Sequence, residues 1–441
     1  MRLPPEVSGI LSQLTAAGYS AYAVGGCVRD TLLGKVPHDW DICTSALPEQ
    51  LQAVFAKDRT VTAGLKHGTL TVIRDRIPYE ITTYRIDGDY TDHRHPDSVS
   101  FVDRIDLDLS RRDFTVNAMA CSPDGAVLDL FCGRQDLEKH LIRCVGEPAA
   151  RFEEDALRVL RALRFASVFD FELEEKTAAA VRAMYPTLSH VAAERIREEL
   201  VKLLCGPGAG RILRAYPEVI THLLPELAPA VGFDQKNPHH LYTVWEHTVR
   251  ALEGVPPDPA LRLTMLLHDS GKPYTQTTDE KGICHYKGHQ QVSAQIAARA
   301  MDALRCDKAL RDKVVCLVEA HDILLSTDRR LLLRRLNRFG EDNLRLLFLI
   351  HKADRIATGT RHPGHAEEHC LELQAALDAL LAEKPCFTLK DLAVNGRDLM
   401  SMGLRGKAVG TALSALLDEV MEGTLPNERE ALLKKAKKEY L

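Results

Sequence analysis

The chain lacks what would take it into a membrane or an oxidising compartment. No run of about 18 uncharged apolar residues occurs, which excludes a helical membrane span. The opening MRLPPEVSGILSQL has no charged segment leading into an apolar one, so no secretory leader is expected. Cysteine is present but unpatterned: 11 residues, an odd number, without a single C-x-x-C pair. That fits neither a disulfide framework nor a thiolate zinc site, and the cysteines read as reduced thiols. Positive charge is not in excess either. With 57 Lys+Arg against 62 Asp+Glu the net charge is −5, so any attraction to nucleic acid must come from local patches. Internal repeats and low-complexity segments are also missing. A cytoplasmic location without membrane contact is expected.

What is present is enough apolar residue, 45% of 441, for two to four domains. Up to about residue 145 the pattern mixes strands and helices. YAVGG, GTLTVI, YEITTYRI and AVLDL are short β-branched or aromatic runs bounded by Gly and Asp. Beyond 146 it turns helical, with apolar residues at i, i+3, i+4 and i+7 in DALRVLRALRF and ERIREELVKLL. Breaks fall at GPGAG (206–210), FDQKNPHH (233–240) and TGTRHPGH (358–365). The expected fold class is α+β: an N-terminal head with a small mixed β-sheet and helices, followed by an elongated all-α remainder.

The densest chemistry lies in VGGCVRDTLLGKVPHDWDI (24–42). If HDWDI is a strand, Asp39 and Asp41 project from the same face. Like charges so placed raise each other's pKa unless a cation lies between them, and Mg²⁺ suits hard carboxylate oxygens that also face substrate phosphates. Gly25 and Gly26 would let the backbone approach a triphosphate, and Arg29 offers it a fork of donors. Glu80, in YEITTYRI, is the candidate third acid of a site for in-line attack on a phosphate.

GGCVRDTLLG with HDWDI resembles the first motif of the polymerase-β-type nucleotidyltransferases. Together with RRDFTVNAMA (111–120), GRQDL (133–137), EEDALRVLRALRF (153–165) and AAERIREEL (192–200), it is similar to the bacterial class II CCA-adding tRNA nucleotidyltransferases, a group that also contains bacterial poly(A) polymerases. DLAVNGRDLM and GTLPNEREALL resemble the tail of the same enzymes. The resemblance implies that Arg112 and Asp113 recognise the ribose and triphosphate of the incoming nucleotide. It also gives base reading to Glu154, Asp155 and Arg158, with Arg161 in the same nucleotide-binding set. Asp155 and Arg158, three apart, are expected to share a helix face and present an acceptor beside a donor fork. That array matches the Watson–Crick edges of C and A, whereas U and G would turn a carbonyl toward the carboxylate. A loop at 90–104, YTDHRHPDSVSFVDR, accompanies A addition in the family.

A second constellation follows in WEHT, LLHDSGK, YKGHQ and EAHD. Its adjacent His268 and Asp269, with His247 before and Asp322 after, resemble the HD phosphohydrolase motif. Such ligands suit Mn²⁺, Ni²⁺ or Co²⁺, and His289 and His321 leave the choice between one and two ions open. His362, His365 and His369 read as an ordinary helix entry. RRLLLRRLNR (329–338) and KKAKK (434–438) are candidate phosphate-tracking segments for a tRNA acceptor arm.

The resulting expectation is a head (1–145), a neck with base recognition (146–232), an HD domain (233–357) and a tRNA-binding tail (358–441). The expected activity is addition or repair of the 3′-terminal CCA of tRNA from CTP and ATP. A poly(A) polymerase, or an HD phosphohydrolase whose head binds tRNA, are the alternatives.

Overall fold

Val7, Ile10, Leu11 and Leu14 recur at helical spacing, and all four are buried on one face of the helix Pro5–Ala16. This helix opens the first of two units into which the computed structural model divides, Met1–Pro225 and Glu226–Leu441. Residues 1–88, 99–360 and 363–440 are described. The expected loop at 90–104 therefore lies outside the described residues over 90–98, as does His362.

The first unit carries β1 (Ala21–Val24), β2 (Asp41–Thr44), β3 (Arg59–Val61), β4 (Thr69–Arg74), β5 (Ile77–Thr83), β6 (Arg85–Asp87), β7 (Val99–Phe101), β8 (Met119–Cys121) and β9 (Val127–Asp129). Seven form one sheet in the order β3-β4-β5-β2-β1-β8-β9, while β6 and β7 pair separately. The sheet is mixed: β2 runs parallel to β5 and antiparallel to β1. The expected strands at YAVGG, GTLTVI and AVLDL lie within it, whereas YEITTYRI is divided between β5 and the separately paired β6.

HDWDI is not a strand throughout. β2 begins at Asp41, which faces Val24, the last residue of β1. Beyond Val24 the chain turns at Gly25, whose φ is +76°, so residues 39 and 40 have no strand to pair with. Asp39 therefore precedes the strand instead of alternating along it.

The remainder is helical apart from two small ladders, Leu141–Ile142 with Glu172–Leu173 and Thr277–Thr278 with Cys284–His285. In the second unit the helix Arg329–Ala357 is broken at Gly340 (φ 73°, ψ 168°). Its first part and the segments that follow share one apolar cluster running from Leu325 through Leu373 and Leu416 to Ala436. All eleven cysteines are free. Among the described residues no helix is long and apolar enough to cross a membrane.

Candidate functional sites

The register of β2 on β5 pairs Ile42 with Ile81. One step back, it brings Glu80 beside Asp41, where paired side chains of parallel strands share a face. Both carboxylates line a cleft of about 250 Å³ with Arg85, Asp108, Arg111 and Arg112. Enclosure of the Asp41 carboxyl raises its pKa even though the residue keeps an exposed surface. Arg112 pulls it down, and Glu80 and Asp39 push it further up. Crowded acids of this kind fit a divalent cation.

A second cleft, about 300 Å³, is lined by Arg111, Arg112, Arg158, Arg161 and Arg195 with Asp113 and Asp155. Five guanidiniums against two carboxylates make it cationic, as a triphosphate requires. Arg111 and Arg112 line both clefts.

Gly25 takes a positive φ of +76°, and Arg112 passes close to it. A Cβ there would lie 2.8 Å from Arg112 Nη1. Gly26 has a milder neighbour, Arg29 Nη2, at 3.4 Å from its would-be Cβ. Arg29 itself is only 8% exposed. Its Nη1 donates to Asn117 Oδ1, its Nε donates to Asp30 Oδ1 at 2.9 Å, and its guanidinium stands 4.6 Å from the Phe169 ring centre. The fork expected to face a triphosphate is thus folded inward.

Asp113 is also engaged internally. Its Oδ1 accepts from Phe114 N–H (2.8 Å) and Asn117 Nδ2 (3.0 Å), and its Oδ2 from Arg161 Nη2 (2.6 Å). Burial works against the charged carboxylate, but Arg161 and Asn117 outweigh it and hold the pKa at about 2.

Asp155 and Arg158 do not share a helix. The helix Pro148–Glu154 ends at Asp155, which is extended (φ −139°, ψ 103°), and the next helix begins at Leu157. The Asp155 carboxylate accepts the Leu157 backbone N–H at 3.1 Å, as a residue capping a helix start does, so spacing of three along the chain does not mean three along a helix. Arg158 instead pairs with Glu154 at 2.5 Å and donates to the carbonyls of Arg151 and Arg111. Asp155 pairs with Arg195 Nη2 at 2.9 Å. Both still line the cationic cleft. Arg195 was missed, although it stands in the AAERIREEL motif already singled out.

In the second unit three imidazoles are held by one device. Nδ1 of His268, His289 and His321 lies 2.7, 2.8 and 2.7 Å from the carbonyls of Met265, Tyr286 and Val318. A carbonyl only accepts, so each Nδ1 carries a proton and each Nε2 offers a lone pair when its ring is neutral. His268 Nε2 lies 3.4 Å from Asp269 Oδ2 and 3.3 Å from Asp354 Oδ1, and His247 Nε2 is 2.9 Å from the same Asp354 oxygen. Across Asp269, Oδ1 faces His289 and His321 at 3.3 and 3.7 Å.

Two ligand groups result, His247, His268, Asp269 and Asp354, and Asp269, His289 and His321, with Asp269 common to both. The expected ligand Asp322 belongs to neither and accepts from Gln290 Nε2 at 2.9 Å. The helix Lys308–Ala320 ends just before His321, so His321 reaches the cluster while Asp322 turns to Gln290. Burial alone would lower the His268 pKa, yet Asp269 and Asp354 hold it up to about 10. So many acceptors packed together need a cation or protons between them, and the donor set fits a transition metal. An adjoining cavity of about 680 Å³ contains Lys272, whose Nζ meets Asp269 Oδ2 at 2.7 Å.

Three cations of the basic segments are ion-paired. Arg329 meets Glu383, Arg334 meets Glu422, and Lys435 meets Glu419 and Glu439. His369 lies 3.7 Å from Glu372.

Comparison with known proteins agrees with this anatomy. The family described as the Poly A polymerase head domain matches residues 21–143, and domain 2 of tRNA nucleotidyltransferases matches 283–436. A CCA-adding enzyme of Geobacillus thermodenitrificans is 49% identical over 228 residues, 51% of this chain and 56% of that one. The chain thus spans about half the length of some curated relatives it matches and nearly all of others. One from Enterococcus faecalis is 34% identical over 440 residues, 98% of this chain and 96% of its own. Among solved structures, the Bacillus stearothermophilus CCA-adding enzyme in complex with CTP superposes with a TM-score of 0.76 at 30% identity, covering 99% of each chain. A Thermotoga maritima enzyme complexed with tRNA, at 22% identity and a TM-score of 0.56, shares the fold. By full-length similarity as well as by its motifs, this chain belongs to the CCA-adding enzymes.

Proposed function

We propose that the chain adds or repairs the 3′-terminal CCA of tRNA, using CTP and ATP, in the cytoplasm. The observation that supports this most directly is that Arg111 and Arg112 line both the acid-bearing cleft and the cationic one, so one nucleotide can engage both. The tRNA 3′-hydroxyl attacks the α-phosphate and pyrophosphate leaves. Asp39, Asp41 and Glu80 would hold Mg²⁺, which would supply charge neutralisation and activation of the hydroxyl. Arg111 and Arg112 take the phosphates. Asp155 and Arg158 read the base edge, with Glu154 orienting Arg158 and Arg195 orienting Asp155. Arg29 acts at one remove, through Asn117 and Asp113. The division into head, neck, HD domain and tail at 145, 232 and 357 belongs to the same proposal. Purified protein, tRNA lacking CCA and separately labelled CTP and ATP test it. Incorporation of two C and one A is expected, while A alone, added repeatedly, would make it a poly(A) polymerase.

A second reading concerns the histidine cluster, which we propose is an HD-type metal centre hydrolysing phosphate ends of RNA such as 2′,3′-cyclic phosphates. The three fixed Nε2 lone pairs aimed at Asp269 support it. A bound Mn²⁺, Ni²⁺ or Co²⁺ would supply a nucleophilic water at neutral pH. Lys272, which lines the cavity beside Asp269, would meet substrate phosphate. Hydrolysis of a cyclic phosphate after loading with metal is the test.

A further inference from the structure

Asp108 plays no part in the motifs read from sequence, yet its side chain is 1% exposed and lies between two arginines of the nucleotide cleft. It stands on the short helix Ile105–Ser110, one turn before Arg111 and Arg112. Its Oδ1 accepts from Arg111 Nη2 at 2.8 Å and Nε at 3.2 Å, and from the Arg85 backbone N–H at 3.4 Å. Its Oδ2 accepts from Arg112 Nη2 at 3.3 Å. Burial opposes the charge, and the two guanidiniums outweigh it and hold the carboxyl below its ordinary value.

An ion pair built for stability would be complete with one arginine. Here one buried carboxylate gathers two, and they are the two that line both clefts. Adjacent guanidiniums repel each other, so without an anion beneath them they would splay apart. On its other edge Arg112 packs against backbone, its Nη1 lying 2.8 Å from where a Cβ on Gly25 would stand. The guanidinium thus lies between a carboxylate and bare backbone.

We propose that Asp108 is a positioning residue that sets Arg111 and Arg112 to receive the phosphates of the incoming nucleotide, and so joins the two clefts into one site. This rests on the nucleotide reading of those clefts. The effect of Asp108 passes through the two guanidiniums.

The test is a cycle of Asp108→Asn, Arg112→Ala and the double variant, with KM for CTP, ATP and tRNA and kcat measured separately. Asp108→Asn is expected to raise KM for both nucleotides by about tenfold and leave KM for tRNA within about twofold. In the Arg112→Ala background the same change should add less than about threefold, because the residue it positions is gone. Asp108→Glu should recover part of the loss, and it carries the test if Asp108→Asn does not fold. If Arg112→Ala raises nucleotide KM but Asp108→Asn does not, the positioning role is overturned and the nucleotide reading survives. If Arg112→Ala leaves nucleotide KM unchanged, both fall. Equal losses toward nucleotide and tRNA, tracking a lowered melting temperature, would make Asp108 a fold residue and overturn the proposal.

Discussion

Arg161 grips Asp113 with two donors, Nε at 3.0 Å and Nη2 at 2.6 Å, across 48 residues of chain. The pair ties the segment that follows the sheet's edge helix to the first long helix beyond it, Leu157–Phe169. It also sets the wall of the cationic cleft, because both residues line it.

That pairing should appear in acid titration. Asp113 has a folded-state pKa of about 2 against an ordinary 3.8. A depressed carboxyl contributes stability that is complete above the ordinary value and is lost as pH falls through the folded one. The shift corresponds to about 2 kcal/mol. The stability difference between wild type and Asp113→Asn, measured by urea unfolding, should be constant above about pH 5 and shrink by about that amount toward pH 2. A difference that does not vary with pH would mean that Asp113 gains nothing from Arg161.

Asp41→Asn and Asp39→Asn should each abolish C and A addition together, on the order of a thousandfold in kcat, while tRNA binding is kept. Asp41 and Glu80 stand in register, so Glu80→Gln should behave as the same class. Loss of one nucleotide's incorporation alone would separate these acids from a shared centre.

Much of the head was legible because its functional residues lie in short windows. The strand runs, the Gly25 turn and the arginines at 111 and 112 can each be read from a few neighbours. What failed is what depends on distant pairing. Asp39 was placed on a strand because its window alternates, but the strand can begin only where β1 supplies a partner. Asp155 and Arg158 were placed on one helix because three is a helical spacing, yet the chain restarts its helix between them. Asp322 is expected from the resemblance, as an acid about fifty residues after His268 and Asp269, but Asp354 is the acid that reaches the cluster. The missed signal is periodicity: Leu347, Ile350, Asp354 and Ala357 follow each other by three, four and three, so an acid occupies the buried stripe of its helix.

Base choice should rest on Asp155 held by Arg195. Replacing Arg158, Asp155 or Arg195 with Ala should relax selection of CTP and ATP over UTP and GTP by about a hundredfold, rather than slowing all four nucleotides alike. Competition assays with all four nucleotides measure the ratio. If Arg195→Ala leaves it intact while Asp155→Ala does not, the 2.9 Å ion pair supports the fold and not the reading of the base.

The histidine cluster yields the sharpest contrast, because two carboxylates compete for one role. Asp354 Oδ1 lies within 3.3 Å of two histidine Nε2 atoms, whereas Asp322 faces Gln290. Asp354→Asn should therefore lose metal affinity by at least about tenfold, and Asp322→Asn should hold it near the wild-type value. Because Asp269 presents one oxygen to each ligand group, wild-type protein dialysed against Mn²⁺ or Ni²⁺ should retain up to two equivalents. His289→Ala should reduce this to one, since it removes a ligand from one group only. His268→Ala should remove metal-dependent phosphohydrolase activity and leave CCA addition to intact tRNA unchanged, because every acid and arginine assigned to nucleotide transfer lies in the other unit. Retention of less than about half an equivalent by wild type, with no hydrolysis of cyclic phosphates, would show that protons and not a metal fill the space between these acceptors.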